Sequence, residues 1–519
     1  MSFSKPVKLS AESIKNGTLL DEVAMHNASM FEASMFNSTA DPPDELTWGS
    51  ICSGGEVIEI ILLAITNRYK AAGKRVRLRH KFSCEDKAGI QEWILGLQQE
   101  LGTAMNGCLF EKAEGMGEVT QWCIKHDNNC VIPQVDIMIA GTSCKDFSRA
   151  NIRSGSSSKS TLLMEHSVGG SAQTFHGLIK YLVNHVVSIL MLENVDTIDD
   201  NSSATDQSSL DIMMETFAKV CLTCLKLLTD AHFFGLPQER CRYYLVGLRS
   251  HSAPHFTITP SNINEIFKKI SGLVAMCERT PPCVTQILLD GDDDAVDREL
   301  NKRLAIGHKS SNYNVSKATS DYKNLGIRWG DAGSRLPVEV KYSTWFQTLA
   351  PSQVSALTFS HAEMDVAVMR DISQSLTRLR YSKMVDSDYD DKRHVAFCQM
   401  PQQIAWLECA NQQPRPLLGR EALMIQGYPI AQIPNLVNKS PDNVMAFIAG
   451  NMMASTTALC IAQATLYAMP WNNSKAIHST KDEVEAALQI FDTIAAPATE
   501  ESQERSKKVR RVKITKRQA

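Results

Sequence analysis

Two apolar segments of this chain each end in a side chain that can do chemistry. Residues 136–140 lead into a Gly-Thr-Ser turn that presents Cys144, and residues 187–192 lead directly to Glu193. Because ligands of a parallel α/β sheet bind outside the carboxyl ends of its strands, we expect both side chains to face one crevice. A thiol and a carboxylic acid placed in this way can add a nucleophile to a heterocyclic ring while protonating that ring.

The elements that would position these two groups alternate between strand and helix patterns from residue 46 to about residue 249. Strand candidates are residues 49–53, 77–84, 108–110, 135–140, 187–192, 231–234 and 243–248, and helix candidates are residues 57–69, 88–101, 172–184 and 210–228. Such alternation predicts a mostly parallel, doubly wound sheet.

A second set of residues has the pattern of a cofactor site. Ser53, Gly54 and Gly55 follow the first strand and open a helix, where small residues let the backbone approach a ligand closely. The next strand ends at Glu85, the usual position of an acid that binds ribose hydroxyls. The strand after it ends at Glu111, which either receives an adenine amine or is an ordinary surface carboxylate. The chain lacks the G-x-x-x-x-G-K-[ST] pattern, which argues against a P-loop nucleotide hydrolase.

Composition indicates the compartment of the protein and argues against metal-binding and membrane-spanning segments. The 519 residues have 43% hydrophobic content and 14 cysteines scattered without a pairing pattern, which indicates a reducing compartment. Cys221 and Cys224 form a C-x-x-C without a second pair, and the acidic cluster 290–294 lacks calcium-loop spacing, so we predict no metal site. The first residues lack a signal-peptide pattern, and the longest apolar stretch, 57–65, is too short to span a membrane.

Six motifs, in order, give the chain a family resemblance. They are Ser53-Gly54-Gly55, Thr142-Ser143-Cys144-Lys145-Asp146-Phe147-Ser148, Glu193-Asn194-Val195, Gln238-Glu239-Arg240-Cys241-Arg242, Arg420-Glu421 with Gln426-Gly427-Tyr428-Pro429, and Ala449-Gly450-Asn451-Met452. Together they cover residues 48–250 and 415–468, and their order resembles that of the cytosine-5 DNA methyltransferases, which use S-adenosylmethionine. The resemblance implies a Rossmann-like, mostly parallel α/β sheet of the class I methyltransferase type, with a smaller irregular target recognition domain inserted.

The resemblance also implies roles for individual residues. Cys144 would attack carbon 6 of cytosine, and Glu193 would hold ring nitrogen 3. Arg242 would contact the exocyclic oxygen, and Arg240 would anchor a loop or the backbone. Asn451 would either touch the cofactor, with Ser53, Gly54, Gly55, Glu85 and Glu111, or cap a helix. The target cytosine would have to be flipped out of double-stranded DNA to reach the thiol. Arg420 and Glu421 would form a structural ion pair between the two domains.

Two features depart from the family pattern. Ser143 stands where the family usually has proline immediately before the nucleophile, and proline would stiffen that turn. The serine-rich loop 148–175 is longer than in bacterial members, and we expect it to be mobile.

The motifs divide the chain into five parts. We expect a flexible N-terminal segment at 1–45, the first part of the catalytic domain at 46–250 and a target recognition domain at 251–414. The catalytic domain returns at 415–470, and a tail follows at 471–519. Residues 507–519 carry seven positive charges and no negative one. This tail is typical either of a nuclear localisation signal or nucleic-acid arm, or of a solvated terminus.

Three functions are compatible with these motifs. The first is a DNA cytosine-5 methyltransferase, favoured by an insertion large enough to read a groove and by a basic tail that suits the nucleus. The second is a tRNA cytosine-5 methyltransferase, because one branch of the family acts on tRNA with the same motifs. The third is a catalytically silent, regulatory DNA-binding relative.

Overall fold

A central nine-stranded sheet organises the chain. The computed structural model describes residues 7–34, 43–103, 107–147, 170–200, 207–250, 258–306, 323, 336–364, 367–373, 379–386, 392–401, 403–410 and 412–471. The part of the serine-rich loop at 148–169 and the basic tail at 507–519 lie outside these residues, so the expectations about them remain predictions.

The sheet has the strand order β6-β5-β4-β3-β2-β7-β8-β10-β9. Its strands are β2 (Glu45–Ile51), β3 (Arg77–Cys84), β4 (Cys108–Phe110), β5 (Thr120–Cys123), β6 (Asn128–Val131), β7 (Ile137–Ala140), β8 (Ile189–Val195), β9 (Leu222–Asp230) and β10 (Cys241–Arg249). The five central strands, from β4 to β8, pair in parallel, and antiparallel pairs complete both edges. The predicted Rossmann-like α/β fold is confirmed, and its sheet is mixed, with a parallel centre and antiparallel edges.

Helices cover both faces of this sheet, and others belong to the insertion. In chain order the helices of the described residues are α1 (Ala11–Lys15), α2 (Leu19–Glu32), α3 (Val57–Ala71), α4 (Ala88–Glu100), α5 (Gly170–Asn184), α6 (Ser209–Lys219), α7 (Ile263–Met276), α8 (Val284–Ile287), α9 (Asp294–Ile306), α10 (Val338–Tyr342), α11 (Pro351–Glu363), α12 (Gly419–Ile425), α13 (Pro434–Lys439), α14 (Asp442–Asn451) and α15 (Ser455–Ala468). Short strands β1 (Val7–Lys8) and β11 (Arg279–Thr280) pair in parallel outside the sheet.

Burial on both faces explains why the central strands form a parallel sheet. Every residue of β7 and β8 is buried, as expected for strands covered by helices on both sides. One apolar core lies under α2, α3, α4, α7 and α15, and a second lies under α5 and α6. This arrangement leaves the carboxyl ends of β2, β3, β4, β7 and β8 at one edge of the sheet.

The N-terminal segment differs from the expected flexible lead-in, because residues 7–34 are folded. In α2, Leu20, Val23, Ala24 and Phe31 are at most 1% exposed and belong to the first core. Their spacing places them on one face of a helix, which packs against α3 and α15. The Ser- and Asn-rich composition concealed this apolar face.

The helix predicted over 210–228 is wrong beyond Lys219. Helix α6 ends there, Cys221 takes a positive φ of 61°, and the chain continues as edge strand β9. A left-handed backbone conformation at a non-glycine residue interrupts a helix. The strand expected near 231–234 is instead a short 3₁₀ turn after β9.

The insertion has its own core, but it begins later than residue 251. Helix α7 packs against α15 and buries Ile266, Ile270 and Leu273 in the core of the catalytic domain. A separate cluster centred on Trp345, Leu357 and Trp406 holds the insertion together. Its small sheets comprise β12 (Met369–Asp371), β15 (Ala405–Leu407) and β16 (Arg415–Pro416), and β13 (Lys383–Asp386) with β14 (Lys392–Val395).

Membrane-spanning potential can be assessed for the described ranges alone. Within them, no single helix is both long and apolar enough to cross a bilayer, although the bent pair Asp442–Asn451 and Ser455–Ala468 meets the length and composition criteria together.

A buried ion pair fastens the insertion to the returning catalytic segment, but its partners differ from those expected. Glu421 pairs with Arg415 on β16 at 2.8 Å and not with Arg420. The two side chains are 0% and 2% exposed, and Glu421 also accepts the backbone N–H groups of Leu289 and Leu418. The carboxylate therefore joins two chain segments, one at Leu289 and one at 415–421.

We predict that Arg415→Met destabilises the protein by about 3–5 kcal/mol, because it leaves the Glu421 carboxylate buried without its counter-charge. The matched control is Arg68→Met, which removes the partly exposed pair with Glu32 at 3.0 Å and should cost at most about 1 kcal/mol. Equilibrium urea unfolding measures both. Equal effects of the two substitutions would refute the role of the buried pair.

Candidate active site

The carboxyl edge of the sheet brings Cys144, Glu193 and Arg242 together. Cys144 follows β7, and Glu193 lies near the end of β8. Arg242 begins the antiparallel strand β10, where it pairs in register with Val195, so it reaches the same edge. The Nε atom of Arg242 lies 3.0 Å from Oε1 of Glu193. The chain thus places a thiol, a carboxyl group and a guanidinium group in one crevice.

The loop that carries Cys144 is braced on both sides. Nδ2 of Asn194 donates to Oγ1 of Thr142 at 3.1 Å, which ties the loop to β8. The Ser143 N–H donates to Oγ1 of Thr174 on α5 at 3.0 Å. Proline has no N–H, so the serine at this position makes a bond that the usual family residue could not make. In this chain a hydrogen bond from Ser143 therefore holds the loop of Cys144 at the position where a proline ring usually stiffens it.

The electrostatics of Cys144 balance burial against charge. Burial raises the pKa of its thiol above the ordinary range, and the Glu193 carboxylate raises it further, while the guanidinium groups of Arg242 and Arg240 oppose the rise. Arg242 is therefore the main group that favours the reactive thiolate.

The Glu193 carboxylate faces Arg242 and retains acceptor capacity. Its side chain is 10% exposed, and Oε1 lies 3.0 Å from Nε of Arg242 as an ion pair, without a well-directed hydrogen bond from another described residue. A carboxylate oxygen can accept more than one hydrogen bond. A protonated ring nitrogen placed in the crevice could therefore bond to the same carboxylate.

Arg240 anchors the backbone and does not face the crevice. Its guanidinium group donates to the carbonyls of Gln399, Gly450 and Met452, at 3.2, 3.4 and 2.6 Å. The residue is 3% exposed. These contacts are those of the backbone anchor that the resemblance implies for Arg240. Gln238 is likewise buried and donates to Gln426 at 2.7 Å.

A narrow cleft beside this crevice has the lining expected of the cofactor site. Ser53, Glu193 and Asn451 contribute polar groups, and Ile58 and Ile139 contribute apolar surface. The cleft therefore brings the glycine turn, the candidate acid and the closing motif into one place. This mixed polar and apolar lining suits S-adenosylmethionine, which combines a charged amino-acid part, a ribose and an adenine ring.

The glycine turn must be free of side chains because the returning chain lies against it. Gly54 and Gly55 have positive φ values of 56° and 96°. A Cβ atom on Gly55 would lie 2.4 Å from Cγ2 of Ile448, and one on Gly54 would lie 2.9 Å from the Asn451 carbonyl oxygen. The hydroxyl group of Tyr428 also donates to the Gly55 carbonyl at 3.0 Å.

The two acidic residues occupy the ends of neighbouring strands. Glu85 is 6% exposed, accepts the Gly54 N–H at 3.2 Å, and has a pKa raised by burial to about 7. Glu111 directly follows β4, next to the end of β3. Asn451 lines the cleft and also donates to the Phe447 carbonyl at 2.8 Å in the last turn of α14, so it combines both expected positions.

Sequence reasoning missed Cys398, which the insertion brings to the crevice. Nη2 of Arg242 lies 3.5 Å from its Sγ atom. Although burial alone would raise the pKa of this thiol, the positive charges of Arg242 and Arg240 outweigh burial and hold it below the ordinary value. No sequence motif marks this residue, and only the docking of the insertion reveals it.

Comparisons with known proteins show the family of this chain. The model of the C-5 cytosine-specific DNA methylase family matches residues 110–464. A DNA (cytosine-5-)-methyltransferase DMT5 of Cryptococcus neoformans is 24% identical over 472 residues, which cover 86% of this chain and 18% of that protein. The DMT5 protein of Verticillium dahliae is 20% identical over 85% of this chain and 20% of its own length. This chain thus spans no more than about a fifth of these two relatives.

A shorter sequence match and a match to a solved structure were also found. The type II methyltransferase M.MspI of a Moraxella species is 31% identical over 125 residues, which cover 24% of this chain and 27% of the enzyme. The crystal structure of the S. pombe Dnmt2 methyltransferase aligns with 81% of this chain and 98% of its own, at 12% identity and a TM-score of 0.39.

We predict that the rate of alkylation of Cys144 continues to rise with pH beyond the pH at which an ordinary thiol reaches its maximum rate. The reason is that burial raises the pKa of this thiol. Arg242→Gln should slow alkylation at pH 8 by about tenfold, since it removes the charge that stabilises the thiolate. Peptide mass spectrometry after timed iodoacetamide treatment measures the alkylation rate of Cys144 separately from that of the other cysteines. The exposed Cys221 serves as the control for the activity of the reagent. An unchanged Cys144 rate in the variant would contradict the proposed electrostatics.

Proposed function

Because the chain belongs to the C-5 cytosine-specific DNA methylase family, we propose that it transfers a methyl group from S-adenosylmethionine to carbon 5 of cytosine in DNA. The observation that carries the proposal is the grouping of Cys144, Glu193 and Arg242, with Arg242 and Glu193 3.0 Å apart. This grouping supplies a thiol nucleophile, a carboxyl group that can bind the ring nitrogen, and a guanidinium cation in one crevice.

The nucleophile is Cys144. Its thiolate forms a bond to carbon 6 of cytosine, and the electron pair of the 5,6 double bond moves toward carbon 5 and the ring. Arg242 stabilises the thiolate before attack. Its guanidinium group then lies where it can donate to the exocyclic oxygen of the base.

Glu193 handles the other side of the ring. Its carboxylate, which also pairs with Arg242, would hold a proton on ring nitrogen 3, which neutralises the charge that attack at carbon 6 develops. The residues of the cleft would hold S-adenosylmethionine, which would supply an electrophilic methyl group to carbon 5 and leave as S-adenosylhomocysteine. After transfer, a base removes the carbon 5 proton, the sulfur–carbon 6 bond breaks, and the 5,6 double bond re-forms.

Two features support DNA as the substrate. The insertion has a core of its own, and its segment 396–399 docks onto the strand of Arg240 and Arg242, so a groove-reading element would be coupled directly to the crevice. The names of the DMT5 relatives are those of DNA enzymes. A target cytosine in a duplex would have to be flipped out to reach Cys144.

The basic residues 507–519 support a nuclear location for this activity. Their seven positive charges would also add phosphate contacts, so we expect DNA affinity to fall as salt concentration rises.

The substrate can be tested with methyl-labelled S-adenosylmethionine and either duplex DNA or bulk tRNA. We expect label in DNA, and no label with Cys144→Ala. Label only in tRNA would move the assignment to the tRNA branch, and cofactor binding without label in either would indicate a regulatory relative.

Thr174 tests the bracing of the catalytic loop. We predict that Thr174→Val lowers kcat about three- to tenfold, since it removes one hydrogen bond worth about 0.5–1.5 kcal/mol from the Ser143 N–H. Thr174→Ser should restore the rate. The matched control is Gln173→Ala at an exposed position on the same helix. A Thr174→Val enzyme with unchanged kcat would show that the bond does not position the nucleophile.

A further inference from the structure

Three cysteines and one histidine converge at one edge of the sheet. We call this group the Cys₃His cluster, and its members are Cys108, Cys123, His126 and Cys130. Their ligand atoms, three sulfurs and one imidazole nitrogen, all lie within 4.8 Å of one another. None of them takes part in the proposed transfer reaction.

The register of the strands explains the convergence. Phe110 of β4 pairs with Cys123 of β5, so Cys108, two residues earlier, lies on the same face as Cys123. Within the β5–β6 hairpin, Cys123 pairs with Asn128, and Cys130 follows two residues later on that face. His126 lies in the four-residue loop of the hairpin, where Asp127 takes a positive φ of 53° and closes the turn.

The distances within the cluster are those of tetrahedral zinc ligands. Nδ1 of His126 lies 3.6 Å from the sulfur of Cys108, 3.2 Å from that of Cys123 and 3.4 Å from that of Cys130. Zinc–sulfur bonds of about 2.3 Å and zinc–nitrogen bonds of about 2.0–2.1 Å at tetrahedral angles would separate sulfur from nitrogen by about 3.6 Å. One ion therefore accounts for all three separations.

Hydrogen bonds alone do not account for this geometry. A ring nitrogen of neutral histidine is either one donor or one acceptor, and it cannot satisfy three thiols at once. Three sulfurs around one nitrogen are the arrangement expected of ligands that share a cation.

We propose that the Cys₃His cluster binds one structural Zn²⁺ ion. Four protein ligands of this type fill the coordination sphere and leave no open position, which is the pattern of structural rather than catalytic zinc. The Leu109 N–H donates to the sulfur of Cys123 at 3.4 Å, the kind of outer contact that supports a metal-bound thiolate.

The ion would fasten the hairpin to the part of the sheet that serves the active site. Strand β4 leads directly to Glu111 and then to the 3₁₀ turn Ala113–Gly117. That turn packs closely against α5, where a Cβ atom on Gly177 would lie 2.1 Å from the Ala113 carbonyl oxygen. Helix α5 in turn carries Thr174, the brace of the catalytic loop. The zinc ion would thus fix the position of β4, which leads to Glu111, and through the 3₁₀ turn and α5 it would also support the loop of Cys144.

The first test is the metal content of the full chain, purified without a histidine tag and without added metal. Inductively coupled plasma mass spectrometry should find about one zinc ion per chain. His126→Ala and Cys130→Ser, which change an exposed and a half-buried side chain, should lose it. His126→Cys should keep it as a four-cysteine site. Cys221→Ser, in the C-x-x-C elsewhere in the chain, is the control and should keep full zinc content.

A second measurement uses the unaltered protein and does not depend on how the variants fold. Replacement of the metal by Co²⁺ should give the visible absorption of tetrahedral cobalt–thiolate coordination. Metal-free wild-type protein that fails to take up Zn²⁺ or Co²⁺ would overturn the proposal. So would a disulfide among the three cysteines in the intact mass, or equal zinc in wild type and His126→Ala. Neither measurement uses methyl transfer, so failure here and failure of the proposed function are separate results.

Discussion

The buried guanidinium group of Arg240 is the interaction on which the active site depends. It lies at the start of β10 and donates to carbonyls of the insertion at Gln399 and of the returning segment at Gly450 and Met452. Three segments that are far apart in sequence therefore meet at one side chain. Because burial of this charge is costly without the hydrogen bonds that its two terminal nitrogens donate, we expect the site to form only when all three segments are in place.

The contacts of Arg240 also determine the positions of neighbouring residues on β10 and β8. Arg242, two residues further along β10, points to the crevice and pairs with Glu193, while the segment held by Arg240 brings Cys398 to its other side. The returning segment that Arg240 holds also presses Ile448 and Asn451 against the glycine turn. The positions of the nucleophile, the acid and the cofactor cleft thus follow from one packing arrangement.

Sequence patterns predicted the central fold and its site where local signals were strong. Residues 77–84 and 108–110 are strands with the predicted bounds, and the six motifs placed Cys144, Glu193 and Arg242 at one edge. The remainder depended on tertiary structure. The apolar run at 210–228 has helical composition, but Cys221 adopts a left-handed conformation and the chain turns into β9. The β5–β6 hairpin consists of two short polar strands, so periodicity did not reveal it, and its ligand set was concealed because Cys108 is distant in sequence. Cys398 reaches the site only through the docking of the insertion.

The most direct test of the account is covalent capture of 5-fluorocytosine in duplex DNA, in the presence of S-adenosylmethionine. Fluorine at carbon 5 cannot be removed as a proton is, so the sulfur–carbon 6 bond persists and the adduct can be sequenced by mass spectrometry. The account predicts an adduct on Cys144 that is lost in Cys144→Ala and kept in Cys398→Ala. An adduct on Cys398, whose thiol pKa is held low by the same arginines, or an adduct that persists in Cys144→Ala, would contradict it.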